Sequence, residues 1–420
     1  MTGASACGRI LWVTEEAPDR RLGGGSIRQA HLFEALARAF EVDLLLAGGE
    51  PDAGVRAAAA GVTVLPRRRA PWSENPIARR ALELGITILS PHPSVLYPAT
   101  PNRRALAFVL RDRAHEYALV CVEHGALAPL VGALSGVPAT LTFHHLISAM
   151  VSQQLEHTEG ARQRWFRARD LVKAQRLERR ALQAFSRVFA CSAQDAAALG
   201  SLGHPGLAGK IRVIANGVDL AAMPPTPVPG SRRVLFPGSL AYAPNVDGAT
   251  WFAAEVWPLV RAALPDAELV LAGRDPTAAV QALGRLSGVS VHANVPSMAE
   301  YFQAARAVVV PLRVGTGTRL KALEAMSCGR PVVGTTVGLE GIGIAEGRDA
   351  IIRDDPRGMA DALVEVLVDD AVAGRLGAAG RELVQGHFGW DAIGAELVAA
   401  IGEVLAQAGA AGQPCSSAAR

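Results

Sequence analysis

Cysteine is scarce in this chain, and the five present (Cys7, Cys121, Cys191, Cys328, Cys415) are scattered, with no Cys-x-x-Cys pair and no His/Cys cluster. That excludes a disulfide framework and structural zinc, and it fits a reducing compartment. Charge of one sign is also missing: the net charge of +3 is too small for a nucleic-acid binder. No cationic segment precedes an apolar one at the start of "MTGASACGRILWVTEEA", whose apolar run is broken at Glu15 and Glu16. Nor does any stretch reach the roughly 18 uninterrupted apolar residues of a membrane span. The expected location is the cytoplasm.

What the chain has is apolar mass. Hydrophobic residues make up 50% of its 420 positions and charged ones 19%, the balance of a globular protein with large cores. Its length exceeds what one core organises, so two domains of about 200 residues are expected. Short runs rich in β-branched residues recur at 9–14, 42–47, 62–65, 118–122, 139–143, 187–191 and 211–214, with helix-length segments between most of them. Continuous rather than alternating apolar strands, separated by helices, indicate a parallel sheet covered on both faces. A Pro/Gly-rich stretch, "NGVDLAAMPPTPVPGSRR" (216–233), interrupts the rhythm, which restarts at 234–238, 268–273, 289–292, 307–311, 331–334 and 350–352. The chain therefore reads as α/β, two Rossmann-like domains over 1–225 and 226–390. A returning helix over 391–408 and a disordered small-residue tail over 409–420 follow.

Parallel sheets bind ligands beyond the carboxyl ends of their strands, so the loops after strands are the places to look. After the first strand, "GGGSIRQAHLFEALA" offers Gly24 and Gly25, with Ser26 or Ile27 opening an amphipathic helix. After "VLF", the short "PGSL" places Gly238 and Ser239 where bare amides could meet a phosphate. The most specific stretch is "GTGTRLKALEAMSCGRP" (315–331). Thr316, Gly317 and Thr318 are expected at a helix start, whose free amides and dipole favour an anion, with Arg319 and Lys321 adding cations. Glu324, six residues past Thr318, lies about nine ångströms along such a helix and could accept bonds from two neighbouring hydroxyls. The alternative is a surface helix with a simple Lys321–Glu324 pair.

"GTGTRLKALEAMSCGRPVVGTTVGLEG" resembles the donor-site segment of the retaining, GT-B-fold glycosyltransferases of family 4, the group 1 glycosyl transferases. Residues 234–274 resemble the branch concerned with exopolysaccharide and cell-envelope sugars. The N-terminal half is similar more loosely, through "GGGSIRQAHLFEALA", "VPATLTFHH" and "VIANGVD". The resemblance implies a GT-B fold whose two domains face a cleft, with the C-terminal helix packing back on the first domain. It also implies transfer of a sugar from a nucleoside diphosphate sugar to a hydroxyl acceptor, with retention.

Residue by residue, the resemblance implies that Glu324 is the second glutamate of the Glu-x7-Glu motif, holding the nucleotide ribose. Gly317 to Leu320 would offer amides to the sugar and its phosphate, while Arg274, Val295 and Pro296 would border the base. The first motif glutamate is replaced by Thr316, and the cationic pair expected in "GSLAYAPN" is absent, so its work falls on Lys321 with Arg313 or Arg319. Cleavage of the sugar–phosphate bond builds negative charge on the leaving diphosphate, and the chain contains no Asp-x-Asp motif for a divalent metal. A helix start plus Lys321 is expected to serve instead, with no cofactor beyond the nucleotide sugar.

His124 follows one strand, and the pair His144–His145 follows the next. In "EHG", His124 resembles the family's active-site histidine, and His144 and His145 are placed on the acceptor side, with a structural role as the alternative for all three. Residues 161–180 carry eight Arg or Lys against Asp170 and Glu178, while Ala174, Leu177, Ala181 and Phe185 repeat at helical spacing. Arg67 to Arg69, Arg103 and Arg104 add to this basic character. It reads as a solvated face or as peripheral contact with anionic headgroups, which suits a lipid-linked acceptor at the inner face of a membrane. A glycan or small-molecule acceptor is equally compatible, and no nucleic-acid partner is expected. Two other readings stay open: a non-catalytic nucleotide-sugar-binding subunit, distinguished by saturable binding without turnover, and a nucleotide-sugar 2-epimerase, which needs carboxylates around the sugar ring.

Overall fold

The apolar runs become strands because their faces are covered, fully in the middle of each sheet and in part at its edges. The computed structural model describes residues 8–67, 90–96, 100–156, 158–203, 205–315 and 319–410. It parts into two compact units: residues up to Ala215 together with those from Ile393 onward, and Asn216–Ala392.

In the first unit, β1 (Ile10–Thr14), β2 (Val42–Ala47), β3 (Gly61–Leu65), β4 (Leu119–Glu123), β5 (Ala139–Phe143), β6 (Arg187–Ala190) and β7 (Ile211–Val213) form one sheet. Its order is β3-β2-β1-β4-β5-β6-β7, and every pairing is parallel, with Ile10 opposite both Val42 and Leu119. Leu45, Val122, Leu141 and Val188 are 0–2% exposed on this sheet. Burying such a side chain contributes roughly 1.5–3 kcal/mol.

The second unit repeats the plan with β8 (Arg233–Pro237), β9 (Glu268–Gly273), β10 (Val289–Ala293), β11 (Ala307–Val310), β12 (Val332–Gly334) and β13 (Ile351–Ile352). Their order is β10-β9-β8-β11-β12-β13, again parallel throughout. The expected α/β architecture of two Rossmann-like parallel sheets is what the chain adopts. In each sheet the strand order reverses at one place, between β1 and β4 and between β8 and β11. Such a reversal splays the flanking loops apart and leaves a crevice at the strand ends.

The sequence set the divide near residue 225, whereas the units part at Ala215. The first part of the Pro/Gly-rich stretch is already tied to the second unit. Val218 donates to the Phe388 carbonyl (2.8 Å), Ser327 Oγ to the Met223 carbonyl (2.8 Å), and the fully buried Arg330 to the Thr226 (2.8 Å) and Pro227 (2.9 Å) carbonyls. The Gly-Arg-Pro stop after the motif helix is thus a clamp on the linker. The final helix, Trp390–Ala410, returns to the first unit as expected, with Gly394 directly against Ala35 and Glu403 accepting from Arg187 (3.1 Å) and Arg212 (2.6 Å). Length and composition alone would let this helix cross a membrane, which the run-length argument missed, but Ile393, Leu397, Ala400, Ile401 and Val404 are buried.

Candidate active site

In the second unit the loops flanking the reversal converge on one ammonium group. The helix after β11 spans Leu320–Ser327, and its Lys321 reaches across to the loop after β8 and the helix Ala243–Trp251 that follows it. There Lys321 Nζ donates to Asn245 Oδ1 (2.7 Å) and lies 4.8 Å from the Phe236 ring centroid. Asn245 Nδ2 in turn donates to the Ser239 carbonyl at 2.7 Å, so one side chain fixes both the loop and the lysine. Gly238 has φ 142°, and a Cβ there would stand 2.8 Å from Lys321 Nζ. Only glycine suits this backbone and leaves the ammonium its place.

Burial decides the electrostatics here. Loss of hydration, helped by the neighbouring Arg319 charge, lowers the pKa of Lys321 to about 7, against the pull of Glu324. Loss of hydration likewise raises Glu324 to about 7, with Lys321 opposing. Both residues keep a half-exposed face, and the Glu324 carboxylate has no hydrogen-bond partner among the described residues. A poised cation and an unsatisfied acceptor one helical turn apart therefore stand at the strand ends. Among the described residues no group of three or more His, Cys, Asp or Glu is placed to hold a metal ion.

The remaining expected residues divide. Arg274 and Val295 follow β9 and β10 on this same edge, and Leu240 donates to the Arg274 carbonyl at 2.7 Å. Thr316, Gly317 and Thr318 lie outside the described residues. Among the described residues the helix has Leu320 as its first residue, with Arg319, at extended φ −88° and ψ 93°, as its cap. Glu324 is consequently about 6 Å from the helix start rather than nine. Arg319 is 8% exposed and donates to the Val337 carbonyl at 3.2 Å, which commits it to packing. Arg313 is held by Asp247 (Nε to Oδ2, 3.0 Å) and stacks 5.7 Å from the Trp251 ring centroid. Lys321 and Arg313 are thus both held by the helix Ala243–Trp251 that follows β8, but Arg313 is already paired with a carboxylate there whereas Lys321 is held by a neutral amide.

The first unit has its own cluster at the reversal between β1 and β4. The helix opens at Gly24, capped by extended Gly23, rather than at Ser26 or Ile27. Ser26 instead sits buried in the first turn and donates to Glu16 Oε1 (2.9 Å). A Cβ on Gly25 would lie 2.9 Å from Glu16 Oε2 and 3.2 Å from His144 Nδ1, so the helix approaches both groups only through this glycine. His124 takes φ 87°, rare for a residue with a side chain, and its Nδ1 accepts from the Ala126 amide at 3.2 Å. Its ring stands 5.4 Å from that of His144 and 5.3 Å from that of His145, so the three expected histidines do come together.

Glu123 organises them and was not foreseen. It is 3% exposed, accepts from Thr142 Oγ1 (2.7 Å) and shares a hydrogen bond with His144 Nε2 (3.0 Å). Burial raises Glu123 to about 7 and holds His124 and His144 well below the ordinary histidine value, so the two imidazoles are neutral at neutral pH while the carboxyl beside them is poised between its two forms. Asn245, Glu16 and Arg28 were also missed. Arg28, 1% exposed, donates to the Ala215 (2.5 Å) and Ile214 (2.7 Å) carbonyls and so anchors the end of the first unit to its first helix. The local signal was thin: an acid at the end of an apolar strand, beside a histidine.

Comparison with known proteins gives the same assignment to both halves. The family described as Glycosyltransferase Family 4 matches residues 22–222, and that described as Glycosyl transferases group 1 matches residues 231–369. D-inositol 3-phosphate glycosyltransferase of Jonesia denitrificans is 30% identical over 219 residues, 45% of this chain and 50% of the relative. The chain thus spans about half the length of the curated relatives it matches. Among solved structures, sucrose-phosphate synthase from Thermosynechococcus elongatus superposes with a TM-score of 0.67 at 22% identity, over 96% of this chain and 99% of that one. HepE of Anabaena in complex with UDP and glucose superposes with a TM-score of 0.65 at 14% identity, over 94% and 100%. With two parallel sheets of matching order and family matches in both halves, the chain belongs to the family 4, group 1 glycosyltransferases of GT-B fold.

Proposed function

We propose that this protein transfers a sugar from a nucleoside diphosphate sugar, of the UDP type, to a hydroxyl acceptor with retention of configuration. The observation that carries the reading is Lys321, held by Asn245 at the strand-order reversal of the second unit with its charge poised near neutrality. The diphosphate sits at the start of the helix Leu320–Ser327, where the first amides lack internal partners. As the bond from the anomeric carbon to phosphate breaks, charge grows on the diphosphate, and Lys321 meets that charge in a poorly hydrated setting where it counts most. Glu324, without a partner of its own, accepts from the ribose hydroxyls. The His124–His144–Glu123 cluster of the first unit serves the acceptor, since neutral imidazoles suit the donation and acceptance of hydroxyl hydrogen bonds.

Residues 234–274 support a role in exopolysaccharide or cell-envelope sugars. The helix Ala161–Ala184, with Trp165 exposed among arginines, supports residence in the cytoplasm with peripheral contact to an anionic membrane face. The experiment is a panel of UDP-, GDP- and ADP-sugars scored by thermal stabilisation and then by product formation. A cognate donor at a hundredfold excess over its Kd stabilises the fold by about 2.7 kcal/mol. Stabilisation without release of nucleoside diphosphate in the presence of any acceptor would reassign the chain as a binding subunit. Vesicle sedimentation and cell fractionation test the location.

A further inference from the structure

The hydrogen bonds of the histidine cluster fix where its protons sit. The Ala126 backbone amide can only donate, so His124 Nδ1, which takes that bond at 3.2 Å, is bare, and the neutral ring carries its proton on Nε2. His124 thus offers a donor at every pH at which it is neutral. His144 is tied by a group that titrates. Its Nε2 faces Glu123 Oε2 at 3.0 Å, while Glu123 Oε1 is taken by the Thr142 hydroxyl at 2.7 Å.

The Glu123–His144 pair titrates as a unit, holding one proton or two. With one, the carboxylate accepts from Nε2–H and Nδ1 is bare. With two, Nδ1 carries a proton, whether the ring is then an imidazolium or has passed its Nε2 proton to the carboxyl. Nδ1 is therefore a hydrogen-bond acceptor in the first state and a donor in the second. It lies beside the space left by the missing Cβ of Gly25, at 3.2 Å from where that atom would stand, and Glu16 Oε2 flanks the same space at 2.9 Å. The other Glu16 oxygen is already held by Ser26 (2.9 Å).

The surroundings leave this proton to move near neutral pH. Arg28, on the helix Gly24–Ala39, bears on both members of the pair and favours the carboxylate, as does Thr142. Burial outweighs them and sets Glu123 at about 7. The thiols near the carboxyl, Cys121 on β4 and Cys191 after β6, are pushed up to about 12 and about 11 by burial and stay neutral. His145, with Asp195 behind it, is lowered by burial as its two neighbours are.

We infer that Glu123 is a positioning residue: by accepting from His144 Nε2–H it keeps Nδ1 bare, so that His144 accepts a bond from the acceptor's hydroxyl while His124 Nε2–H donates to the same oxygen. The two rings stand 5.4 Å apart, and one fixed donor beside one acceptor is the complement of a single hydroxyl. Protonation of the pair makes Nδ1 a second donor, which turns to the Glu16 carboxylate and no longer takes the hydroxyl proton. The acceptor role rests on the glycosyl-transfer reading; the placing of the proton does not.

The test labels the histidines of the full chain with a nitrogen isotope and reads their ring nitrogens by long-range proton–nitrogen correlation from about pH 5.5 to 8.5, with His144→Gln supplying the assignment. His144 Nδ1 is expected to pass from bare to protonated as pH falls through about 7, while His124 Nδ1 stays bare throughout. Glu123→Gln should remove the transition. Thr142→Val, which deletes a bond that favours the carboxylate, should move it to higher pH without touching either member of the pair. Thermal melting confirms that each variant is folded. A His144 Nδ1 that does not change, or a transition that survives Glu123→Gln, overturns the inference.

The kinetic arm follows transfer to glycerol from UDP-, GDP- and ADP-sugars, with donor saturating so that Lys321 keeps its ammonium. Between pH 8 and pH 6 the bare fraction of Nδ1 falls about tenfold, so the KM for glycerol should rise about tenfold with a smaller change in kcat. Glu123→Gln should flatten that rise. A KM independent of pH in the parent overturns the acceptor role of His144. No transfer from any donor, with the nitrogen signals as expected, would instead remove the transfer reading and the acceptor role with it, and leave the proton where Glu123 places it.

Discussion

Lys321 Nζ donates to Asn245 Oδ1 over 2.7 Å, and this one contact joins the helix after β11 to the helix Ala243–Trp251 after β8 across the point where the sheet reverses. The pair makes a specific kinetic prediction. Lys321→Ala removes the charge that meets the leaving diphosphate and lowers kcat by about a hundredfold or more, the usual size for deleting one transition-state donor. Asn245→Ala keeps the lysine but releases it, so kcat falls by roughly tenfold, the scale of one hydrogen bond to a charged group. Steady-state rates with a saturating donor check both; equal rates in Asn245→Ala and the parent would show that the contact only packs the loop.

A proton should move when the donor binds. With a pKa near 7, Lys321 is about nine-tenths neutral at pH 8 in the free protein. A diphosphate beside it favours the ammonium, so binding at pH 8 draws in close to one proton. Calorimetric titration of UDP in buffers of different ionisation enthalpy reads this directly, and Lys321→Met should abolish the dependence on buffer. An enthalpy that is the same in every buffer for the parent protein would remove the poised lysine from the account.

The thirteen described strands were legible because each is a short apolar run, a pattern that depends on neighbours in sequence alone, although the edge strands β3, β7 and β10 are partly exposed. The returning helix was legible for a similar reason, since its apolar side repeats at helical spacing. The site was legible in its residue types but less so in its geometry. Thr316 to Thr318, outside the described residues, were expected at a helix start; the cap is Arg319, whose extended backbone and buried contact with the Val337 carbonyl, 18 residues on, no local pattern announces. Arg313 read as a free cation because its partner, Asp247, lies 66 residues earlier. Asn245 stands 76 residues from Lys321, and Glu123 reaches His144 across the space between β4 and β5. Pairings of that kind are made by the fold, and no local pattern announces them.

The stability of the second unit should carry a pH signature of the Lys321–Glu324 pair. Glu324 is raised from 4.5 to about 7, so between those values the folded chain keeps a proton that the unfolded chain has lost, and stability falls as pH rises. Lys321 is lowered from 10.5 to about 7, so between 7 and 10.5 the unfolded chain holds the extra proton, and stability rises with pH. Together the two groups place a shallow minimum near pH 7. Urea midpoints measured from pH 5 to pH 9 should show it, Glu324→Gln should flatten its acidic side, and Lys321→Met its basic side. Glu324→Gln should also weaken UDP binding by about tenfold through the lost ribose contacts. A variant with unchanged affinity would detach Glu324 from the nucleotide.

Gly25 offers a separation of stability from activity in the first unit. It lies in the first turn of a helix, where alanine is the better former by up to about 1 kcal/mol, so Gly25→Ala by itself favours the fold. The added Cβ would nevertheless stand 2.9 Å from Glu16 Oε2 and 3.2 Å from His144 Nδ1. Glu16 is exposed and can swing aside at little cost. His144 is fixed by Glu123, and its displacement passes to the His124 ring it touches. The expected outcome is a melting temperature within a few degrees of the parent, together with a raised KM for the acceptor and a lowered kcat. If acceptor kinetics are unchanged while the helix is stabilised, the glycine serves only the cap and the histidine cluster does not meet the acceptor.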